Sequence, residues 1–475
     1  MNPPATAVDR ALSLVRSRQI RAGQAPAIDF YPTGRSSPAR LQPAREPAQG
    51  WIGRAGDLLR SGKISCVELL EDCLKRIEVS DSNYRAFVCL NERARSQALA
   101  LDNELAQEQP RGPLHGIPIS IKDIVDVAGM PTRAGSDAYL TRPLAHAEAV
   151  RMLVDAGCVV IGKTSAHEFA LGMITPQSRN PHDPRRSPGG SSGGSAIAVA
   201  QKMGLGSVGS DTRGSIRIPA SLTGVVGFKP TFGRVSVEGV LPLSWSMDHV
   251  GPLTRSVADA SVMLDTMAGP GFCEFSGSDV SQLRVGAPEA GCEGADPEVE
   301  SRFAEAVATV ARLTGRVGEA KRPSVLDFSN AFAASLIVSR CEAAAYHRRL
   351  GLDRSKYWKQ TLEQLEAADG ISAVDYLDAQ RLRAVLGAAM LQAFEDFDVL
   401  VMPTTLTTAP IIEEAAGLTW EVSRNVIPWS FIGFPAVSVP CGKTASGLPV
   451  GIQLVAPPLE EGSLVALGAA FEAAL

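Results

Sequence analysis

The sequence predicts an α/β fold, a layered structure built on a mixed β-sheet. Three observations carry this. From Trp51 onward, helical spacing alternates with short β-rich runs bounded by Gly or Pro. Hydrophobic residues make up 45% of the 475, enough for a large core. Two Gly/Ser-rich elbows, residues 189–195 and 209–215, are joined by an apolar segment.

The elements follow in order. Residues 1–50 scatter Pro3, Pro4, Pro26, Pro32, Pro38, Pro43 and Pro47 among arginines, alanines and glycines. Residues 7–21 suit a short basic helix, and the remainder reads as an extended or disordered arm. Such an arm either straps onto a second copy of the chain, giving a homodimer, or stays a poorly ordered tail. Ile52, Leu58 and Leu59, then Val67, Leu69, Leu70 and Ile77, recur at helical spacing. Residues 84–90 alternate like a strand and 92–105 return to helix. Ile117, Ile119 and Ile121 alternate with Pro118, Ser120 and Lys122, a strand with one apolar and one polar face. Residues 145–156 suit a helix and 158–161 a buried strand. Helices are expected at 297–314, 332–350 and 373–394, and strands at 399–402, 436–439 and 450–455. No internal repeat is visible. The motifs place residues 51–475 in a single domain, with a variable helical region near 270–394 on the substrate side.

Composition narrows the function. A net charge of −5 supplies no electrostatic footprint for a phosphate backbone, and 5% aromatics argue against base-stacking platforms. The eight cysteines lie singly, as buried small hydrophobes of a reduced compartment would. The six histidines show no paired spacing, so neither a metal nor another cofactor is expected. No apolar run reaches the roughly 18 residues of a membrane span, and the N-terminus does not read as a secretion signal, so the expected location is the cytoplasm.

The elbows carry the chemistry. Glycine-rich backbone can turn bare N–H groups toward one point, and hydroxyls sit in both stretches. Exposed serines beside converging donors are what attack on a carbonyl requires. Taken alone, Ser215 also fits a plain helix cap, Ser191 a flexible linker, and Lys122 a solvated side chain or an ion pair with Asp123.

The runs GGSSGGS (189–195) and GSDTRGS (209–215), with Gly116-Ile-Pro-Ile-Ser-Ile-Lys122-Asp123 upstream, resemble the amidase signature family. So do GKTSAHEFALG (162–172), NPHDPRRSPGG (180–190), LSWSMDHVGPLTRSVADA (243–260), VLVMPT (399–404), GFPAVSVPCG (433–442) and GLPVGIQLVAP (447–457). The resemblance runs from about residue 55 to the C-terminus. It implies a large sheet covered by helices on both faces. It also implies a serine amidohydrolase that cleaves a small carboxamide without cofactor or metal. Ser215 would be the nucleophile, Ser191 the relay after a cis Gly190–Ser191 peptide bond, and Lys122 the base. The backbone N–H groups of Thr212, Arg213, Gly214 and Ser215 would hold the oxyanion. A lysine base must fall from about 10.4 toward 7–8, a shift that burial can supply.

The chain departs from the family pattern at three places. Arg213 stands where most members carry glycine. Its guanidinium either reaches the acyl pocket and favours a carboxylate-bearing substrate or turns toward a structural carboxylate. Ser165 and Trp429 also replace common family residues, and both are expected to reshape the substrate cavity. Asp211 is expected to be structural, with Arg217 paired to a buried carboxylate. The same motifs fit the glutamine-hydrolysing A subunit of a tRNA-dependent amidotransferase, which would bring partner subunits and tRNA. A non-catalytic interaction protein should have lost a serine or the lysine, and all three are intact.

Overall fold

Short runs, most of them rich in Val, Ile and Leu, pair into one mixed sheet of eleven strands. Their ranges are β1 (Phe87–Leu90), β2 (Pro118–Lys122), β3 (Val159–Thr164), β4 (Gly206–Asp211), β5 (Val226–Lys229), β6 (His249–Thr254), β7 (Val285–Ala287), β8 (Val317–Glu319), β9 (Val399–Pro403), β10 (Ala436–Lys443) and β11 (Pro449–Val455). The computed structural model describes residues 6–17, 41–319 and 328–475. The strand order is β1-β3-β2-β4-β6-β5-β10-β11-β9-β7-β8. β3, β2 and β4 run parallel, as do β9, β7 and β8; the remaining pairs are antiparallel.

Parallel strands need crossovers, and crossover helices cover both faces of the sheet. Both faces of β2, the apolar and the polar, are covered. Every residue of β2, β3 and β4 is buried, so Ser120 and Lys122 lie as deep as the isoleucines. Ser120 is satisfied there by donating its hydroxyl to Ser207 Oγ of β4, 2.9 Å away. Register pairs Ile119 with Gly206 and Ile121 with Val208, so β2 and β4 end side by side.

Most expected elements appear within a few residues of their predicted limits, including the helix Pro297–Thr314. The helix expected at 7–21 is Ala7–Ser17; residues 18–40 lie outside those described. It buries Val8, Ala11, Leu12 and Val15 against the helices Phe328–Leu350 and Ala373–Ala393. Arg16 anchors it through a two-pronged contact with Asp375, 2.6 and 2.7 Å. The region near 270–394 is not helical throughout, since it also supplies β7 and β8. The second elbow is shorter than expected, because β4 continues to Asp211. No helix among the described residues is long and apolar enough to cross a membrane. The cysteines are all unpaired, but only Cys66, Cys73, Cys158 and Cys441 are fully buried; the other four are half-buried.

The first elbow is packed without slack. A Cβ added at Gly194 would come 2.5 Å from both the Ala86 carbonyl and the Ser165 amide. We predict that Gly194→Ala costs about 1–3 kcal/mol through overpacking, read as a lower urea midpoint at unchanged slope. An unshifted midpoint would contradict this close approach.

Candidate active site

Three elements meet at the C-terminal edge of β2 and β4. Lys122 ends β2, fully buried. Its Nζ donates to Ser191 Oγ at 2.7 Å and to Ser210 Oγ at 2.8 Å. Burial pushes the amine down to about 7, against the pull of Asp211 and Asp248 toward the charged form. Asp123, the neighbour that could have paired with it, is engaged instead by Lys163 at 3.1 Å.

Ser191 follows a cis Gly190–Ser191 peptide bond. Gly189 has φ +81°, and a Cβ on Gly190 would strike the Ile174 carbonyl at 2.4 Å, so this turn has room only for hydrogen. The helix Gly193–Ala200 starts directly afterwards. Backbone bonds hold the turn on two sides: His167 N–H donates to Ser191 O, and Ser192 N–H donates to Ser215 O at 3.3 Å. Ser192 Oγ further accepts from the Ser210 amide. Lys122, Ser191 and Ser215 are therefore brought to one place, Lys122 in direct contact with Ser191 and Ser215 tied to the next residue.

Ser215 is 6% exposed and lines a cavity of about 310 Å³, whereas Lys122 and Ser191 sit fully buried behind it. The turn before it is shaped by Asp211, whose carboxylate accepts from the Gly214 amide (2.7 Å), the Ile216 amide (3.3 Å) and Ser430 Oγ (2.7 Å). Arg217 pairs with it at 3.0 Å, both side chains fully buried. Burial alone would raise the Asp211 pKa, but the Arg217 guanidinium pulls it below the usual carboxylate range. Gly214 adopts φ +114°, left-handed backbone that glycine tolerates.

The expected oxyanion donors need one correction. The Gly214 N–H is already committed to Asp211. Thr212, Arg213 and Ser215 remain on the same turn, and Thr212 Oγ1 donates to Asp248 at 2.5 Å. Asp248 also accepts the Leu243 and Ser244 amides, and burial raises its carboxyl to about 7.

Arg213 is 8% exposed and faces the same cavity. Its Nε donates to Ser335 Oγ at 3.2 Å, and its guanidinium lies 4.8 Å from the centre of the Phe332 ring. Trp429 and Ser165 do not line the cavity. Trp429 is fully buried in the core beneath the helix Phe328–Leu350, and Ser165 donates to the Arg85 carbonyl at 2.8 Å. Bulk drives Trp429 into the core, and a short hydroxyl at 165 is satisfied locally. Sequence reasoning passed over Ser210, Arg340 and His167. Ser210 stands beside Asp211 in the quoted elbow, which was the available signal. Arg340 lies in a helix with no motif of its own. Among the described residues no group of three or more His, Cys, Asp or Glu could hold a metal ion.

The model of the Amidase family matches residues 68–465. An amidase of Pseudomonas putida is 36% identical over 449 residues, covering 89% of this chain and 95% of its own. The A subunit of the glutamyl-tRNA(Gln) amidotransferase of Gloeobacter violaceus is 35% identical over 474 residues, covering 89% and 96%. Among solved structures, one described as an amidase superposes with a TM-score of 0.81 at 38% identity, covering 89% of this chain and 99% of the other.

The buried charges generate two expectations. An unfolded lysine holds its proton to about pH 10.4, while Lys122 releases it near 7, so the unfolded state binds the extra proton between those values. Its stability contribution therefore rises with pH across that window. Lys122→Met should gain stability over wild type at pH 7 by on the order of 3 kcal/mol more than at pH 9.5. Denaturant titrations at the two pH values test this, and an equal gain would contradict it. Asp211→Ala strands Arg217 in the core and should cost about 3–5 kcal/mol. A calorimetric Tm within a degree of wild type would contradict that assignment.

Proposed function

The chain belongs to the amidase signature family, and from that premise we propose that it cleaves a small carboxamide through an acyl-enzyme on Ser215. It is an amidohydrolase acting on carbon–nitrogen bonds. The observation that carries the finer reading is Lys122, a lysine brought to about 7 by burial with its Nζ 2.7 Å from Ser191 Oγ.

In this mechanism neutral Lys122 accepts the Ser191 hydroxyl proton while Ser191 takes that of Ser215. Ser215 Oγ attacks the amide carbonyl and forms a C–O bond. The backbone N–H groups of Thr212, Arg213 and Ser215 stabilise the oxyanion; one such donor is worth about 2.7–4 kcal/mol. The proton returns through Ser191 to the amide nitrogen as the C–N bond breaks. Water then attacks the ester, regenerating Ser215 and releasing a carboxylic acid. The proximity of Ser192 to Ser215, 3.3 Å between backbone atoms, supports this path. Similarity to the A subunit of the amidotransferase supports a second reading, glutamine hydrolysis within a larger complex.

Ser215→Ala should lower kcat/KM by about 10⁵–10⁶ while changing stability by about 1 kcal/mol or less. Retained turnover would remove Ser215 from the mechanism. Lys122 is protonated, and so unable to accept, below about 7. Activity should fall about tenfold per pH unit below that point and level off above it. Asp248 titrates in the same range, so the profile is also measured in Asp248→Asn, where the fall in activity should persist with its midpoint moved lower, because the Asp248 charge that favours protonated Lys122 is gone. A flat profile, or one abolished only by Asp248→Asn, would exclude the lysine as base. Ammonia release by the purified chain alone separates the two readings.

A further inference from the structure

The cavity in front of Ser215 is lined by two cations, Arg213 and Arg340, that have no ion-pair partner among the described residues. Arg213 is nine-tenths buried, and its Nη2 has no hydrogen-bond partner. Ser335 and the Phe332 ring hold the rest of its guanidinium in place. Among the described residues no carboxylate forms an ion pair with Arg213, which favours the pocket-facing alternative over a structural partner. Arg340, on the same wall helix as Phe332 and Ser335, lines the same cavity. Its Nη2 donates to the neutral Gln364 Oε1, and Gln364 in turn donates to the Leu171 carbonyl at 2.8 Å. Arg340 likewise has no ion-pair partner among the described residues.

The other walls do not neutralise this pair. Leu171, Met173, Ile174, Leu243 and Leu336 are apolar. His167 is held neutral, since burial pushes its ring down to about 4. The one lining carboxylate among the described residues, Glu363, is exposed and lies 3.8 Å from Lys359. Burial pushes the pKa of both guanidinium groups below its usual value, and Arg213 feels the charge of Arg340 as well. Arginine does not shed its proton in proteins, so the cavity wall presents two like charges, Arg213 buried and Arg340 partly exposed. A buried charge without an ion-pair partner is strongly unfavourable, and an anion held between Arg213 and Arg340 would offset that cost. Phe332 and Ser335 hold the Arg213 guanidinium while its Nη2 is left without a partner, a donor that a planar carboxylate can take.

We propose that Arg213 and Arg340 clamp a carboxylate on the acyl part of the substrate, so that the enzyme acts on monoamides of short dicarboxylic acids. This rests on the carboxamide reading above: when ammonia leaves, every other substrate atom belongs to the acyl side. At about 310 Å³ the cavity is at the small end of ligand sites, which fits a short chain between the carboxylate and the scissile amide.

Malonamate, succinamate and glutaramate, each paired with its neutral diamide, form the test set. For at least one chain length the monoamide should exceed the diamide at least tenfold in kcat/KM. Arg340→Met and Arg213→Met should each lower that ratio at least tenfold. Diamides turned over as well as monoamides at every length, or equal losses on both, would overturn the clamp. Two further measurements do not depend on turnover. In Ser215→Ala, malonate, succinate or glutarate should raise Tm, and Arg340→Met should remove the rise; no rise with any of the three would overturn the proposal. Without ligand, Arg213→Met should unfold at a higher temperature than wild type, because it removes a charge that nothing opposes; a lower Tm would show that the guanidinium has a partner inside the protein. Hydrolysis that survives Ser215→Ala, together with dicarboxylate binding, would reject the serine mechanism and leave the clamp standing.

Discussion

The desolvated amine of Lys122 is the constraint around which this enzyme is arranged. A lysine at a strand end can be stripped of water only if both faces of its sheet are covered. The parallel run β3-β2-β4, with its crossover helices, provides that cover. The amine then has hydroxyls rather than carboxylates as its nearest partners, Ser191 and Ser210. A carboxylate at hydrogen-bond distance would keep the proton on nitrogen. The neighbouring Asp123 is kept away from it by Lys163, which sits on the adjacent strand and takes that charge.

Asp211 plays the opposite part a few residues away. It stays ionised because Arg217 faces it and because two amides and a serine hydroxyl point at it. Its charge shapes the turn that presents Ser215, and it also acts on Lys122 from a distance, favouring the protonated form. Burial outweighs that pull. The site thus separates two kinds of buried group: a paired carboxylate that organises backbone, and an amine whose burial favours its neutral form.

Much of this was legible in the residues. Alternating isoleucines marked β2, and the glycines around Ser191 and Ser215 marked places where backbone approaches backbone, as the contacts at Gly190 and Gly194 bear out. What the pattern could not carry was depth. Ser120 and Lys122 look like a solvent face because period-two alternation reports polarity, while burial depends on helices packed from distant parts of the chain. β4 was hidden for a related reason: GSVGSD has little strand propensity and is a strand because β2 and β6 flank it. The cavity wall was least legible. Trp429 was expected to reshape the substrate cavity and fills the core instead, while Arg340 lines that cavity without any local motif. Those placements are decided by how helices from distant parts of the chain cross.

The helix Ala7–Ser17 gives the cavity an unusual dependence. It lies on the helices Phe328–Leu350 and Ala373–Ala393, and Ala7 at its start forms part of the cavity rim. The cavity wall is therefore assembled from segments as far apart in the chain as Ala7 and Thr419. Trimming the helix Ala7–Ser17 away, or fusing a bulky affinity handle to it, would remodel that wall while leaving Lys122, Ser191 and Ser215 untouched.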